Sequence, residues 1–354
     1  MQLTRLQRAH VAGPIALAAA VALLVAACGA AATPSPSTSP SPTGSLVPAV
    51  TATPAPIATP APAPAAVAFP VQLTDDEGNA VALEARPERI VSLTPATTEI
   101  LFAVGAGPRV IATTDFDDFP PEAVALPDVA SYQGVDVEKI VGLEADLVVA
   151  GGNRFNNPEA LAKLRDLGIP VLVVYAPDVA TVLADIELVA TAAGEGPAGG
   201  ALAAAMRAEI DAIAAELPAA AGAAPRVFYE LDATKEIYGP ADDSIVAQMI
   251  KLAGGDPITT GSPTVFSIPL ERLVAADPEV IVLGDAAYGV TPEQAAARPG
   301  WGGMTAVKNS AIRPVNDVVV TRPGPRLVEG LRELALAIDP GAALPAAPSA
   351  SPGG

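Results

Sequence analysis

From residue 89 onward, short runs of Val, Ile and Leu alternate with segments whose apolar side chains recur at helical spacing. That alternation predicts an α/β chain built on mainly parallel sheets. Buried strands are expected over 89–93, 110–113, 147–150 and 171–175, with helices over 96–104, 137–143 and 158–167 between them. Thr94 reads as an N-cap, Pro95 as the first helical position and Gly105 as a stop. Two helical stretches follow, 179–193 and 201–217, separated by a Gly/Pro break and carrying no strand signal. The alternation then resumes, with strands over 227–231, 280–283 and 312–315 and helices over 245–253, 269–275 and 327–338.

Within this pattern lies an internal repeat. VDVEKIVGLEADLVVA (135–150) sets over IPLERLVAADPEVIVL (268–283) without a gap, pairing Glu138 with Glu271, Lys139 with Arg272 and Glu144 with Asp277. Each copy predicts a short amphipathic helix feeding a buried strand. Val137, Ile140 and Val141, and Leu270, Leu273 and Val274, form the stripe expected to face inward, with both glutamates outside it. Two lobes of one design, joined by a helical segment, would leave a cleft between them.

The first 66 residues follow a different rule. Arg5 and Arg8 precede a continuous apolar run over 15–27, too short to span a bilayer comfortably but matching a signal-peptide core. The run ends in Val25-Ala26-Ala27-Cys28, which resembles a bacterial lipobox with Cys28 as the lipidated residue. Residues 29–66 are almost wholly Ala, Pro, Ser and Thr, a tether expected to be disordered and able to reach on the order of 100 Å. The expected organisation is therefore a leader over 1–28, the tether, one lobe over 67–177, a helical segment over 178–224, a second lobe over 225–340 and a tail over 341–354.

Composition then removes most chemistry. The chain carries 20 Lys+Arg against 39 Asp+Glu, a balance that repels phosphate backbones, so nucleic acid is not an expected partner. Its single cysteine, Cys28, and single histidine, His10, both precede the tether. Beyond them there is no thiol or imidazole for a disulfide, a Cys/His zinc site or a Ser-His-Asp triad. The Asp115, Asp117, Asp118 cluster fails a calcium-loop template because Phe119 and Pro120 occupy ligand and glycine positions, so solvated, helix-capping acids are expected. No P-loop, nucleophile elbow or dinucleotide fingerprint is present. No catalytic residue, metal site or cofactor is predicted.

Ligands of open α/β sheets bind beyond the carboxyl ends of strands. Those ends are expected at Thr94, 113–116 and 151–155 in the first lobe, and at 230–231, 284–288 and 317–320 in the second. Asn153, Arg154 and Phe155 offer donors and an aromatic ring, and Arg322, just past the last strand, suits a carboxylate or phosphate.

RIVSLTPATTEILFAVGAG (89–107), DFDDFPPEA (115–123), YQGVDVEKIVGLEADLVVA (132–150), ERLVAADPEVIVL (271–283) and RPGPRLVEGL (322–331) together resemble one family. It comprises the solute-binding proteins of ABC importers for cobalamin, ferric siderophores and haem. The resemblance implies two Rossmann-like lobes bridged by a rigid helix, here over 201–217, in a monomeric, extracytoplasmic protein that is not an enzyme. Asp118-Phe119-Pro120-Pro121 followed by Gln133-Gly134 is similar to the cobalamin branch, and Phe116 and Tyr132 then fall where cleft aromatics are implied. Gly151 and Val265 stand where that branch implies tryptophan. A haem ligand would need an oxygen donor such as Tyr238 or Tyr288. The resemblance also implies that Glu138 and Glu271 dock onto arginines of a dimeric permease. A carboxylate-dependent hydrolase or an adhesive surface module on the same fold are the alternatives.

Overall fold

The computed structural model describes residues 67–152, 155–217 and 224–347. Cys28, the leader and tether, Asn153 and Arg154 lie outside them. The described chain opens with an antiparallel hairpin, β1 (Val71–Thr74) and β2 (Ala80–Leu83). A sheet of β3 (Ile90–Ser92), β4 (Val110–Thr114), β5 (Asp128–Ser131), β6 (Gly134–Val135), β7 (Leu147–Ala150) and β8 (Val171–Val173) follows, in the order β6-β5-β4-β3-β7-β8. The second sheet contains β9 (Arg226–Glu230), β10 (Asp256–Pro257), β11 (Val280–Leu283) and β12 (Ile312–Pro314), in the order β10-β9-β11-β12. Apart from the β5–β6 pair, both sheets are parallel. β7, β8 and β11 are unbroken apolar runs with every residue buried, as strands covered on both faces require.

The repeat survives at the level of the backbone. Helices Val137–Gly142 and Leu270–Ala276 lead into β7 and β11, and the paired positions Glu144 and Asp277 both adopt left-handed backbone, φ 52° and 48°. An arginine that the sequence pattern did not single out closes each unit. Arg89 Nε donates to Leu143 O at 2.8 Å and its backbone N–H to Asp146. Arg226 Nε donates to Ala276 O at 2.9 Å and its N–H to Glu279. Each arginine caps the helix C-terminus from the start of the neighbouring parallel strand, β3 or β9, where a cation also complements the helix dipole.

The inward stripe is narrower than expected. Val137, Ile140 and Leu273 are buried and Leu270 half-buried, but Val141 and Val274 are 42% and 37% exposed. Helices of six and seven residues touch the sheet along a single i, i+3 line, and the i+4 position rotates out.

The segment between the lobes forms two antiparallel helices, Val179–Ala192 and Gly196–Glu216. The second begins five residues before the expected start, because Pro197 fits its first turn and Gly199 permits close approach. A Cβ at Gly199 would stand 2.3 Å from Ala190 Cβ. Glu195 at the head of this helix pairs with Arg86 and Arg109 of the first lobe, and Glu209 pairs with Arg332 of helix Leu327–Ile338. The largest hydrophobic core runs through these helices from Ile90 and Leu147 to Val227, Val282 and Leu331. Each lobe keeps a smaller outer core of its own.

The hairpin and β5–β6 were not anticipated. Asp75, 4% exposed, accepts from the N–H groups of Glu77 and Asn79 within the hairpin turn and of Val173 at the end of β8. Tertiary docking of this kind holds a two-stranded hairpin that is only marginally stable alone.

Candidate functional site

A cavity of about 840 Å³ lies between the lobes at the carboxyl ends of the strands. From the first lobe come Thr94, Thr114, Phe116, Ser131, Gly151 and Phe155; from the second, Leu231, Ser244, Phe266, Asp317 and Arg322. Its walls hold exposed rings on both sides, Phe116 at 53%, Phe155 at 65% and Phe266 at 38%. The Phe155 ring lies 6.3 Å from that of Tyr175, which also lines the cavity. Exposed aromatic faces gathered in a concavity suit a broad, partly apolar ligand.

The first-lobe wall is fixed by short-range chemistry. Thr94 caps helix Pro95–Ala103 and the buried hydroxyls of Ser92, Thr94, Thr97 and Thr98 bond to one another. Asn156 accepts from Gly151 N–H at 2.9 Å and donates to Leu93 O at 3.1 Å, pinning the loop after β7 to the end of β3. A Cβ at Gly151 would lie 2.5 Å from Thr94 Cγ2, so no tryptophan fits that position in this backbone. Val265, the other position where the cobalamin branch implies tryptophan, is 48% exposed.

Of the residues singled out from sequence, Phe116, Phe155 and Arg322 line this cavity, and Asn153 and Arg154 lie outside the described residues. Tyr132 is 82% exposed beside the wall residues Ser131 and Gly134. Tyr238 is drawn into bridges with Asp232 and Ser267 and donates its hydroxyl to Glu236, off the cavity. Tyr288 ends the 3₁₀ turn Gly284–Tyr288 and is 86% exposed, also off the wall. Glu138 and Glu271 are exposed in the first turns of their helices, one per lobe.

Arg322 has a different role from the one its position suggested. Its Nη1 is 2.6 Å from Glu99 Oε1 and 2.6 Å from Asp118 Oδ1, so protein carboxylates already hold it. Arg326 Nε and Nη2 bond both oxygens of Glu99, and its guanidinium sits 4.3 Å from the Phe119 ring centroid. This cluster joins the lobes beside the cavity. It also corrects the expectation of solvated acids: Asp118 is an ion-pair partner, and Asp117 is buried with Oδ2 accepting from Thr114. Burial opposes ionisation of Asp118, but Arg322 outweighs it and holds that carboxyl below its usual range.

Asp185, Asp242 and Asp243 are further wall residues that the sequence pattern did not reveal. Asp-Asp-Ser before a helix reads as capping, and Ser244 does cap Ile245–Leu252. Asp185, 4% exposed on helix Val179–Ala192, is pushed up to about 8 by burial first and then by Asp76 and Asp178. The unfolded chain ionises it near the ordinary value of 3.8, so between about pH 4 and about pH 8 the folded protein binds the extra proton. The contribution of Asp185 to stability therefore falls as pH rises through that window, by on the order of 1 kcal/mol per unit. Asp185→Asn should flatten this dependence. Melting curves at pH 5 and pH 8 check it, and an unchanged slope in the variant would reject Asp185 as the cause.

A model of the periplasmic binding protein family matches residues 90–316. The uncharacterized ABC transporter substrate-binding lipoprotein YvrC of Bacillus subtilis is 31% identical over 77% of this chain and 86% of its own. The vitamin B12-binding protein of Pectobacterium carotovorum is 28% identical over 71% of this chain and 88% of its own. Among solved structures, the periplasmic heme-binding protein RhuT from Roseiflexus sp. superposes with a TM-score of 0.62 at 28% identity, covering 71% of this chain and 97% of that one. These matches support solute binding and give no support to the hydrolase alternative. The chain belongs to the periplasmic binding protein family, the extracytoplasmic solute-binding components of ABC transporters, and is not an enzyme.

Proposed function

We propose that this protein captures a large metal-chelate nutrient between its lobes, a corrinoid such as cobalamin first, and delivers it to an ABC permease. The observation that carries the reading is the 840 Å³ cavity with exposed rings of Phe116, Phe155 and Phe266 on opposing walls. A flat macrocycle can stack there and be held by hydrogen bonds and shape. The similarity to a vitamin B12-binding protein supports the same ligand. Among the described residues no three His, Cys, Asp or Glu side chains are grouped to hold a bare metal ion, so the metal would arrive already chelated. Isothermal calorimetry with cobalamin, haemin and two ferric siderophores tests the reading. Heat with cobalamin at micromolar concentration is expected, and heat with none of them would overturn it.

One observation favours haem as the second reading. Tyr175 places a phenol on the cavity wall, the kind of oxygen donor a haem iron needs where imidazole is lacking. It takes over the part that Tyr238 and Tyr288, off the wall, were expected to fill.

Lipidation of Cys28 would tether the protein to the outer face of the cytoplasmic membrane, with residues 29–66 as a spacer. Glu138 and Glu271 would dock onto a dimeric permease. Each glutamate has an exposed valine one turn on, Val141 or Val274, and the paired cations Lys139 and Arg272 are tied back to the carbonyls of Asp128 and Thr259. Each lobe thus offers a carboxylate beside a small apolar surface, the same in both copies.

A further inference from the structure

The cavity has a charge balance that bears on what enters it. Four carboxyl groups line it, Asp185, Asp242, Asp243 and Asp317, against one cation among the described residues, Arg322. Arg322 offers no counter-charge to a ligand. With Arg326, Glu99 and Asp118 it forms a cluster of two cations and two anions, and its Nη1 is shared between both carboxylates. Asp185 holds its proton at neutral pH, and Asp317 accepts from the Tyr229 hydroxyl at 2.7 Å. Negative charge facing the cavity therefore rests on Asp317, whose two oxygens are already engaged by Tyr229 and Thr321, and on Asp242 and Asp243, in the turn before helix Ile245–Leu252.

We infer that Asp242 and Asp243 select the ligand by charge: the cleft takes a macrocycle whose peripheral groups are amides and rejects the same macrocycle bearing free carboxylates. This rests on the corrinoid reading above and narrows it to amidated, neutral or cationic corrinoids. A primary amide donates N–H to a carboxylate. A ligand carboxylate in the same place meets like charge in a concave wall, loses its hydration and finds no free guanidinium among the described wall residues in exchange. Selection of this kind works through repulsion of the wrong ligand as much as attraction of the right one. The aromatic-walled cavity is the site, and the two aspartates act on what it admits.

Both positions tolerate the neutral isostere. Asp242 Oδ1 accepts from Gly261 N–H at 2.9 Å, which an asparagine oxygen can also do. Asp243 has φ 56°, a left-handed conformation that asparagine adopts readily.

The test compares cobalamin with a derivative in which one peripheral amide is hydrolysed to a carboxylate, by calorimetry at low ionic strength. The wild type should prefer cobalamin by on the order of tenfold, and added salt should narrow the gap. In the Asp242→Asn, Asp243→Asn double variant the ratio should shrink to within about threefold. Equal affinities in the wild type, or a ratio unchanged in the variant, would overturn the inference. If neither corrinoid binds, the ligand reading has failed, and the charge rule is decided on haemin against haemin with both propionates esterified. Tighter binding of the ester upholds the rule, and equal or weaker binding overturns it.

Discussion

Replacing Glu99 by Ala should lower the melting temperature by about 10 °C. Glu99 is 3% exposed on helix Pro95–Ala103 of the first lobe, and both its oxygens accept from arginines of the second. Its removal leaves Arg322 with Asp118 as its remaining partner and takes from Arg326 the carboxylate that both its nitrogens hold. Breaking a buried ion cluster from one side typically costs about 3–5 kcal/mol, because the surviving charges stay desolvated and unpaired. Asp118→Ala provides the contrast. Its side chain is 53% exposed, and a solvated partner contributes less than about 1 kcal/mol. Thermal unfolding of both variants checks the ordering. A Glu99→Ala protein that melts within about 2 °C of wild type would show that the cluster contributes no net stability across the lobe junction.

Reversing both Glu138 and Glu271 to Lys should abolish uptake in cells while leaving ligand affinity in the purified protein unchanged. Each glutamate is exposed in the first turn of its helix, and neither lines the cavity. An acid in a first turn stabilises a helix by only a few tenths of a kcal/mol, so the double variant should fold. That small local benefit does not require the same residue at the same place in both lobes, whereas a two-fold symmetric partner does. Charge reversal on a docking surface acts on encounter rate and orientation, turning attraction into repulsion at two points at once. Single reversals should give intermediate uptake. The experiment pairs transport of labelled ligand into cells with calorimetry on the purified variant. Uptake that survives the double reversal would assign both glutamates to the helix dipole alone.

The strands β7 and β11, with the helices before them, were legible because unbroken apolar runs and helical periodicity are local properties of the chain. β1–β2 and β5–β6 were not, because VQLT, DVAS and GV break the apolar run with polar residues or glycine, and such pieces are held by what they dock against, as Asp75 docks on β8. The cavity shows the same division. Phe116 and Phe155 could be placed at strand ends from the order of elements alone. Asp185 could not, since it comes from the connecting helix, nor could Asp242 and Asp243, which read as an ordinary helix start.

By itself the sequence determined the two-lobe α/β plan, the repeat that pairs Glu138 with Glu271, and the lack of imidazole or thiol beyond residue 28. Each of these depends on residue type and spacing along one chain. Only the tertiary structure decided that Arg322 spends its charge on Glu99 and Asp118, 223 and 204 residues away, and that the described cavity wall gathers Asp185, Asp242, Asp243 and Asp317. A charge acts through the groups within a few ångströms of it, and folding alone sets which groups those are.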